Sequence, residues 1–93
     1  MEISYDAAKR QQTLNARGLD FDDAPEVFSG FHLTDQDLRF EYGEDREITV
    51  GALKGKIVVI VWVDREDGRR IISMREASRD EQRYYYRELD RSG

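Results

Sequence analysis

A run of seven consecutive apolar residues, from Ile57 to Val63, constrains the fold most strongly. Most of its members are β-branched, and it is far shorter than the roughly 20 residues of a membrane-spanning helix. A continuous run of this kind is typical of a central strand covered on both faces. Lys54-Gly55 precedes the run and Asp67-Gly68 follows it, and both pairs are turn signals. The pattern therefore predicts an antiparallel meander with strands over 47–52, 57–63 and 69–74.

The N-terminal half predicts a short strand and two helices. Residues 2–5 alternate as in an edge strand, and Asp6 is a suitable N-cap for a helix that continues to about Asn15 and is closed by Gly18. A second amphipathic helix ends at Phe28 and begins near Asp22 or Asp23, because a proline at position 25 is tolerated only in a first turn.

The segment 29–45 is irregular and acidic, and its pattern predicts a long loop. The alternative is that Phe31 and Leu33 begin a further strand.

The C-terminal third predicts a strand that runs directly into a helix. Arg70 and Ile72 alternate with Ile71 and Ser73, as in a half-buried strand. Ser78 and Glu81 then have the spacing of a capping box. The complete pattern predicts an α+β domain over residues 1–93, with an antiparallel sheet of about four strands, two N-terminal helices and one C-terminal helix.

Composition limits the function classes. The chain has no cysteine, which excludes disulfides and thiolate metal sites and suits a cytoplasmic protein. The formal net charge is −5, but residues 20–48 carry most of the excess acid, and residues 69–93 are mildly basic. An acidic face could repel RNA or bind a basic partner.

The acids near the start of the second helix lack the spacing of a calcium loop, and no cofactor motif is present.

Four motifs follow one another along nearly the whole chain. They are Tyr5-Asp6-x-x-Lys9, Gly18-x-x-Phe21-x-x-Ala24-x-x-Val27-Phe28, Gly43-Glu44-x-Arg46 with Gly51, and Arg70-Ile71-Ile72-Ser73-Met74-Arg75-x-Ala77 with Glu81 and Tyr85. In order and spacing they resemble BrnT toxins, the ribonuclease half of a bacterial type II toxin–antitoxin pair.

The resemblance implies a RelE-like fold and metal-independent RNA cleavage that halts translation. It also implies neutralisation by a BrnA-like antitoxin, whose ribbon-helix-helix domain binds DNA so that the complex represses its own operon. The toxin would then contact DNA only through the antitoxin, and no membrane or cofactor is expected.

Three departures from the family lie at the end of the first helix. The family usually has an Asn there, followed by Lys-His-Gly, whereas this chain has Thr13 and then Ala16-Arg17-Gly18. Arg17 is thus the cation left at that place. If the Lys-His pair contributes to cleavage, this chain would be slower or inactive.

Metal-free RNA cleavage requires a base, an acid for the leaving 5′-oxygen, and cations for the phosphorane charge. Arginine matches phosphate oxygens bidentately, so Arg70 and Arg75 are the predicted phosphate ligands. Lys9 and Arg46 are further candidate cations. The other predicted RNA contacts are Arg17, Arg79 and Arg83. The competing interpretation is that Arg70, Arg75 or both pair with Glu81 or a nearby acid in a structural bridge.

The general base is less constrained. Histidine is the side chain most often used as a general base, but His32, the one histidine, lies in the irregular segment outside the family motifs. Tyr85, Glu81 and Lys9 are the alternatives, although Glu81 already has a role in the capping box. Tyr84, Tyr85 and Tyr86 cannot share one helix face, so one or two of them are expected to pack in the core, which leaves one available to stack on an RNA base.

The favoured hypothesis is an endoribonuclease toxin. The alternative is a catalytically weak interaction module that forms the antitoxin-binding half of an autorepressor complex, favoured by the acidic segment and the missing Lys-His pair. A third possibility is an unrelated binding protein that shares only the sheet.

Overall fold

The computed structural model describes residues 1–39 and 41–93, which form three α-helices and five strands. The elements in chain order are β1 (Ile3–Ser4), α1 (Ala7–Arg17), a 3-10 turn (Phe21–Asp23), α2 (Ala24–Ser29), β2 (His32–Gln36), β3 (Glu47–Leu53), β4 (Lys56–Arg65), β5 (Gly68–Glu76) and α3 (Arg79–Ser92).

The strands of the described residues form one sheet in the order β1-β5-β4-β3-β2. The predicted meander is confirmed, since β3, β4 and β5 pair antiparallel in sequence. The sheet is mixed rather than wholly antiparallel, because β1 lies parallel to β5 with Ile3 opposite Arg69. The α+β class is therefore confirmed, and the strand count and direction are corrected.

Strand β2 corrects the prediction of a long loop over 29–45 and confirms the alternative of a further strand that includes Leu33. It pairs antiparallel with β3, with Leu33 opposite Val50. Its last three residues are exposed, and β2 lies at the edge of the sheet. That exposure explains their polar composition and the weak periodic signal.

Strand β4 divides the core into two layers. Val58, Ile60 and Trp62 point to one side, which we call the α2 face, where Phe21, Ala24, Val27 and Phe28 cover them. Val59 points to the other side, the α3 face, and alternation places Val61 and Val63 there as well. All of these β4 residues are buried, as expected for a central strand.

Close packing on the α2 face explains Gly51. A Cβ atom built at this position would lie 2.6 Å from Val27 Cγ1, so a larger residue would push α2 off the sheet. On the same face the Phe28 and Trp62 rings meet edge to face, and Trp62 Nε1 donates to Thr49 Oγ1 at 2.8 Å. Among the described residues, each buried side-chain nitrogen or oxygen atom has a hydrogen-bond partner.

Helix α3 covers part of the α3 face. Tyr85 is buried among Val50, Ile57 and Val59, and Leu89 packs against the same cluster. The predicted capping box at Ser78 and Glu81 is confirmed. Of the helices described, none is long and apolar enough to cross a membrane.

Candidate active site

A β-bulge in strand β5 places three polar residues of the strand on the α3 face. The register pairs Val63 with Arg70, Val61 with Ser73 and Val59 with Arg75. The pairing shifts between Val61 and Trp62, which leaves one extra residue in β5. Because Val59, Val61 and Val63 share a face, their three partners share it too.

This arrangement differs from the alternation read from the sequence. A regular strand would place Arg70 and Ser73 on opposite faces, with Ile72 beside Arg70. Ile72 is the extra residue of the bulge and has no partner in β4. Arg70 and Ser73 therefore lie on the same face of β5. Successive residues on one face of a strand lie about 7 Å apart. The side chains of Arg70, Ser73 and Arg75 therefore form one continuous surface, which we call the polar surface.

Arg70 is partly exposed, and its guanidinium has no hydrogen bond, ion pair or ring contact to any other described residue. An unpaired guanidinium above a layer of buried valines has donors available to an anion.

Arg75, in contrast, pairs with Glu81. Nη1 and Nη2 of Arg75 donate to Glu81 Oε1 and Oε2 at 2.7 and 2.9 Å. These bonds, together with the one that Glu81 accepts from the Ser78 N–H, lower the pKa of Glu81 to about 2. The predicted pairing of Arg75 with Glu81 is thus confirmed, and the Arg75 side chain keeps an exposed fraction of 38%.

A groove of about 280 Å³ runs between α1 and the edge of β5. It is lined by Lys9, Gln12, Thr13, Ala16, Arg17 and Ser73. The structure therefore brings two predicted site residues, Lys9 and Arg17, next to Ser73 of the polar surface. Arg17 Nη1 also donates to the Met74 carbonyl at 2.8 Å, which attaches α1 to the strand edge.

The other predicted cations differ in position. Arg46 immediately precedes β3; its guanidinium lies 4.0 Å from the centroid of the Tyr42 ring and 3.4 Å from a Glu44 oxygen. Because Glu47 pairs with Trp62 of the α2 face, alternation places Arg46 on the α3 face. Arg79 and Arg83 are exposed on α3, and Arg83 forms a surface pair with Asp80 at 3.2 Å.

Two candidate bases lie away from this surface. Tyr85 is buried, its hydroxyl donates to the Phe31 carbonyl at 3.2 Å, and burial raises the pKa of Tyr85 above its ordinary value. His32 lies on the α2 face against Phe28, and its Nδ1 is 2.8 Å from the Gly30 carbonyl. Neither side chain is therefore positioned to take a proton at the polar surface.

Sequence reasoning missed a second, acidic feature. Asp37 is buried and accepts two bonds from Arg39 at 2.8 Å, which lower the pKa of Asp37 well below its usual range. A cleft of about 460 Å³ lies beside it, with Glu41, Glu44 and Asp45 also in its lining. The acidic composition of 29–45 was the available signal, but the buried pair could not be inferred from it. No group of residues in the described ranges has the donor set of a metal site.

Comparison with known proteins adds one match. Residues 5–81 match the family model described as ribonuclease toxin, BrnT, of type II toxin-antitoxin system. This range includes the polar surface and the groove beside it. No curated protein matches the chain significantly.

Proposed function

The chain belongs to the BrnT family of ribonuclease toxins of type II toxin–antitoxin systems, and we propose that it is itself a metal-independent endoribonuclease that halts translation in the cytoplasm. Its substrate is RNA, and an antitoxin neutralises it.

The polar surface of β5 carries this proposal. Arg70, Ser73 and Arg75 lie on one face of one strand, with Lys9 in the adjoining groove. Two guanidiniums beside a hydroxyl match the oxygens of a phosphodiester, and they can stabilise the extra negative charge of a phosphorane.

The reaction follows from that chemistry. The ribose 2′-oxygen attacks the adjacent phosphorus, its proton leaves, and the bond to the 5′-oxygen breaks as that oxygen takes up a proton. The products are a 2′,3′-cyclic phosphate and a free 5′-hydroxyl. Arg70 and Arg75 hold the phosphate, and Lys9 is the candidate group for proton transfer, because Tyr85 and His32 are directed elsewhere.

The partner we propose is a BrnA-like antitoxin with a ribbon-helix-helix domain, through which alone the complex contacts DNA. A basic segment of such a partner would be complementary to the acidic residues beside Asp37.

A second candidate function is the antitoxin-binding half of an autorepressor complex with little or no cleavage. One observation favours it: Ala16 and Arg17 line the groove where related toxins carry Lys-His, and Arg17 is engaged with the Met74 carbonyl.

A cleavage assay on a purified transcript with EDTA present, with and without the partner, separates the two functions. We expect cleavage that persists in EDTA, stops when the partner is added and is lost in Arg75→Ala. Arg91→Ala is the matched control, because it removes an exposed arginine at the far end of α3. Intact RNA with a folded protein that still binds its partner would favour the repressor component, and full activity of Arg75→Ala would contradict the assigned site.

A further inference from the structure

The hydrogen bonds of Arg75 leave one edge of its guanidinium open. A guanidinium has five N–H donors in a plane. Arg75 uses one donor of Nη2 and both donors of Nη1, toward the two Glu81 oxygens and the Glu76 carbonyl, at distances of 2.7 to 3.2 Å. The Nε–H and the second hydrogen of Nη2 have no acceptor among the described residues. These two hydrogens are parallel and lie on the same edge of the group.

In two other arginines of this chain a carboxylate is bound at the Nε–Nη2 edge. Arg10 donates from Nε and Nη2 to Asp20 at 2.8 and 2.9 Å, and Arg39 donates from the same two atoms to Asp37 at 2.8 Å. In both, the edge that suits a two-oxygen anion is occupied. In Arg75 the carboxylate instead binds end-on, which means that it accepts from Nη1 and Nη2. The Nε–Nη2 edge stays open, so pairing with Glu81 and binding of a phosphate are compatible.

Glu81 is itself held in place. Its Oε1 accepts the Ser78 backbone N–H at 2.7 Å, and its own N–H donates to the Ser78 hydroxyl at 3.2 Å. The carboxylate is therefore fixed to the first turn of α3, and it fixes the plane of the Arg75 guanidinium in turn. A preorganised donor pair loses less side-chain entropy when an anion binds.

We propose that Glu81 is a positioning residue: it holds Arg75 end-on, so that the Nε–Nη2 edge and the Ser73 hydroxyl form a phosphodiester subsite for single-stranded RNA. Ser73 shares the face of Arg75, and its hydroxyl has no acceptor or donor among the described residues. The subsite deepens the proposed ribonuclease function and rests on it.

The opposite role for Glu81 is competition, in which its carboxylate occupies the place of the phosphate. The two roles predict changes of opposite sign. If Glu81 positions Arg75, replacing it weakens RNA binding; if Glu81 competes, replacing it strengthens binding.

The test uses the full chain and a short RNA with 2′-O-methyl riboses, which cannot be cleaved. We expect Glu81→Gln to weaken RNA binding about tenfold, since a neutral amide can accept only one of the two bonds that fix the plane of the Arg75 guanidinium. Ser78→Ala is the matched control: it removes the hydroxyl of the same capping box but keeps both carboxylate bonds to Arg75, so we expect binding within about twofold. Thermal unfolding of each variant establishes that it is folded.

NMR supplies a readout that a purely structural role would not change. The Nε–H resonance of Arg75, assigned with Arg75→Lys, should shift when the methylated RNA is added to the wild type. Binding by Glu81→Gln as tight as wild type or tighter, or an Arg75 resonance that does not move, overturns the proposal. Binding with the shift but without cleavage of ordinary RNA would contradict the ribonuclease function and keep the subsite. Cleavage of ordinary RNA without a shift of the Arg75 resonance would contradict the subsite and keep the ribonuclease function.

Discussion

Arg69 and Arg70 are neighbours in sequence and lie on opposite faces of the sheet. The Arg69 guanidinium carbon is 4.5 Å from the centroid of the Phe28 ring and 4.3 Å from that of Trp62, so it closes the edge of the α2 core. Arg70 lies on the α3 face without a partner among the described residues. The pleat, rather than the residue type, decides which arginine stabilises the fold and which is available to a ligand.

The largest expected effect tests the closed α2 face. Phe21 is fully buried there, with an exposed fraction of 0%. Phe21→Ala should lower the free energy of unfolding by about 3 to 5 kcal/mol, because it removes the burial of a ring and leaves a cavity. Denaturant unfolding followed by circular dichroism measures the change.

Leu38→Ala is the control for that truncation, since Leu38 has an exposed fraction of 78%. It should change the free energy of unfolding by less than about 0.5 kcal/mol. Equal losses in the two variants would show that burial on the α2 face does not dominate stability.

The second prediction concerns the polar surface of β5. Arg70→Ala should reduce RNA cleavage about 100-fold or more, in the range seen when one donor to a developing charge is removed. Its stability should stay close to wild type, because the guanidinium has no described partner to lose. Cleavage rates and thermal unfolding measured on one preparation check both parts.

Arg69→Ala should show the converse behaviour. We expect a loss of about 1 kcal/mol of stability from the two ring contacts, with cleavage near the wild-type rate. If Arg69→Ala abolished cleavage and stayed fully stable, the functional division between the faces would be wrong.

The smallest expected effect concerns pH. Bonding to Arg75 lowers the pKa of Glu81 from an ordinary 4.5 to about 2. The ionised form is the one favoured in the fold, so the stabilisation is fully present above about pH 4.5 and is lost as the pH falls through about 2. We expect about 1 kcal/mol, because the pair is partly exposed to solvent.

Thermal unfolding of wild type and Glu81→Gln over this range isolates the contribution of that carboxylate. The difference between their melting temperatures should be greatest near neutral pH and should shrink in acid. A difference that grows as the pH falls would have the wrong sign for a lowered pKa.

The two faces also differ in how far sequence predicted them. The β-branched run of β4, its turns and the capping box of α3 are local patterns, and the structure confirms them. A strand at β2 was only the alternative to a loop, because its last three residues are polar and exposed and give little period-2 signal. The parallel pairing of β1 with β5 carries no local signal at all.

The polar surface was predicted in part. Residue types and motif spacing selected Arg70 and Arg75, and the structure places them on one face of β5. The reason they share it is the bulge, which depends on pairing with β4 and cannot be inferred from alternation alone. Tyr85 was selected by the same motif, yet its position over Val59 makes it a core residue.

The pairing of β1 with β5 sets the order in which the molecule can assemble. The Arg69 N–H donates to the Glu2 carbonyl at 3.0 Å, so the first strand has no partner until the fifth has been synthesised. Pairing between residues so distant in sequence must close a long loop, which costs entropy and makes such pairing slow. The same fifth strand provides Arg70, Ser73 and Arg75 and one wall of the groove that contains Lys9. A nascent chain therefore cannot assemble the proposed RNA-binding surface until the fifth strand has been synthesised.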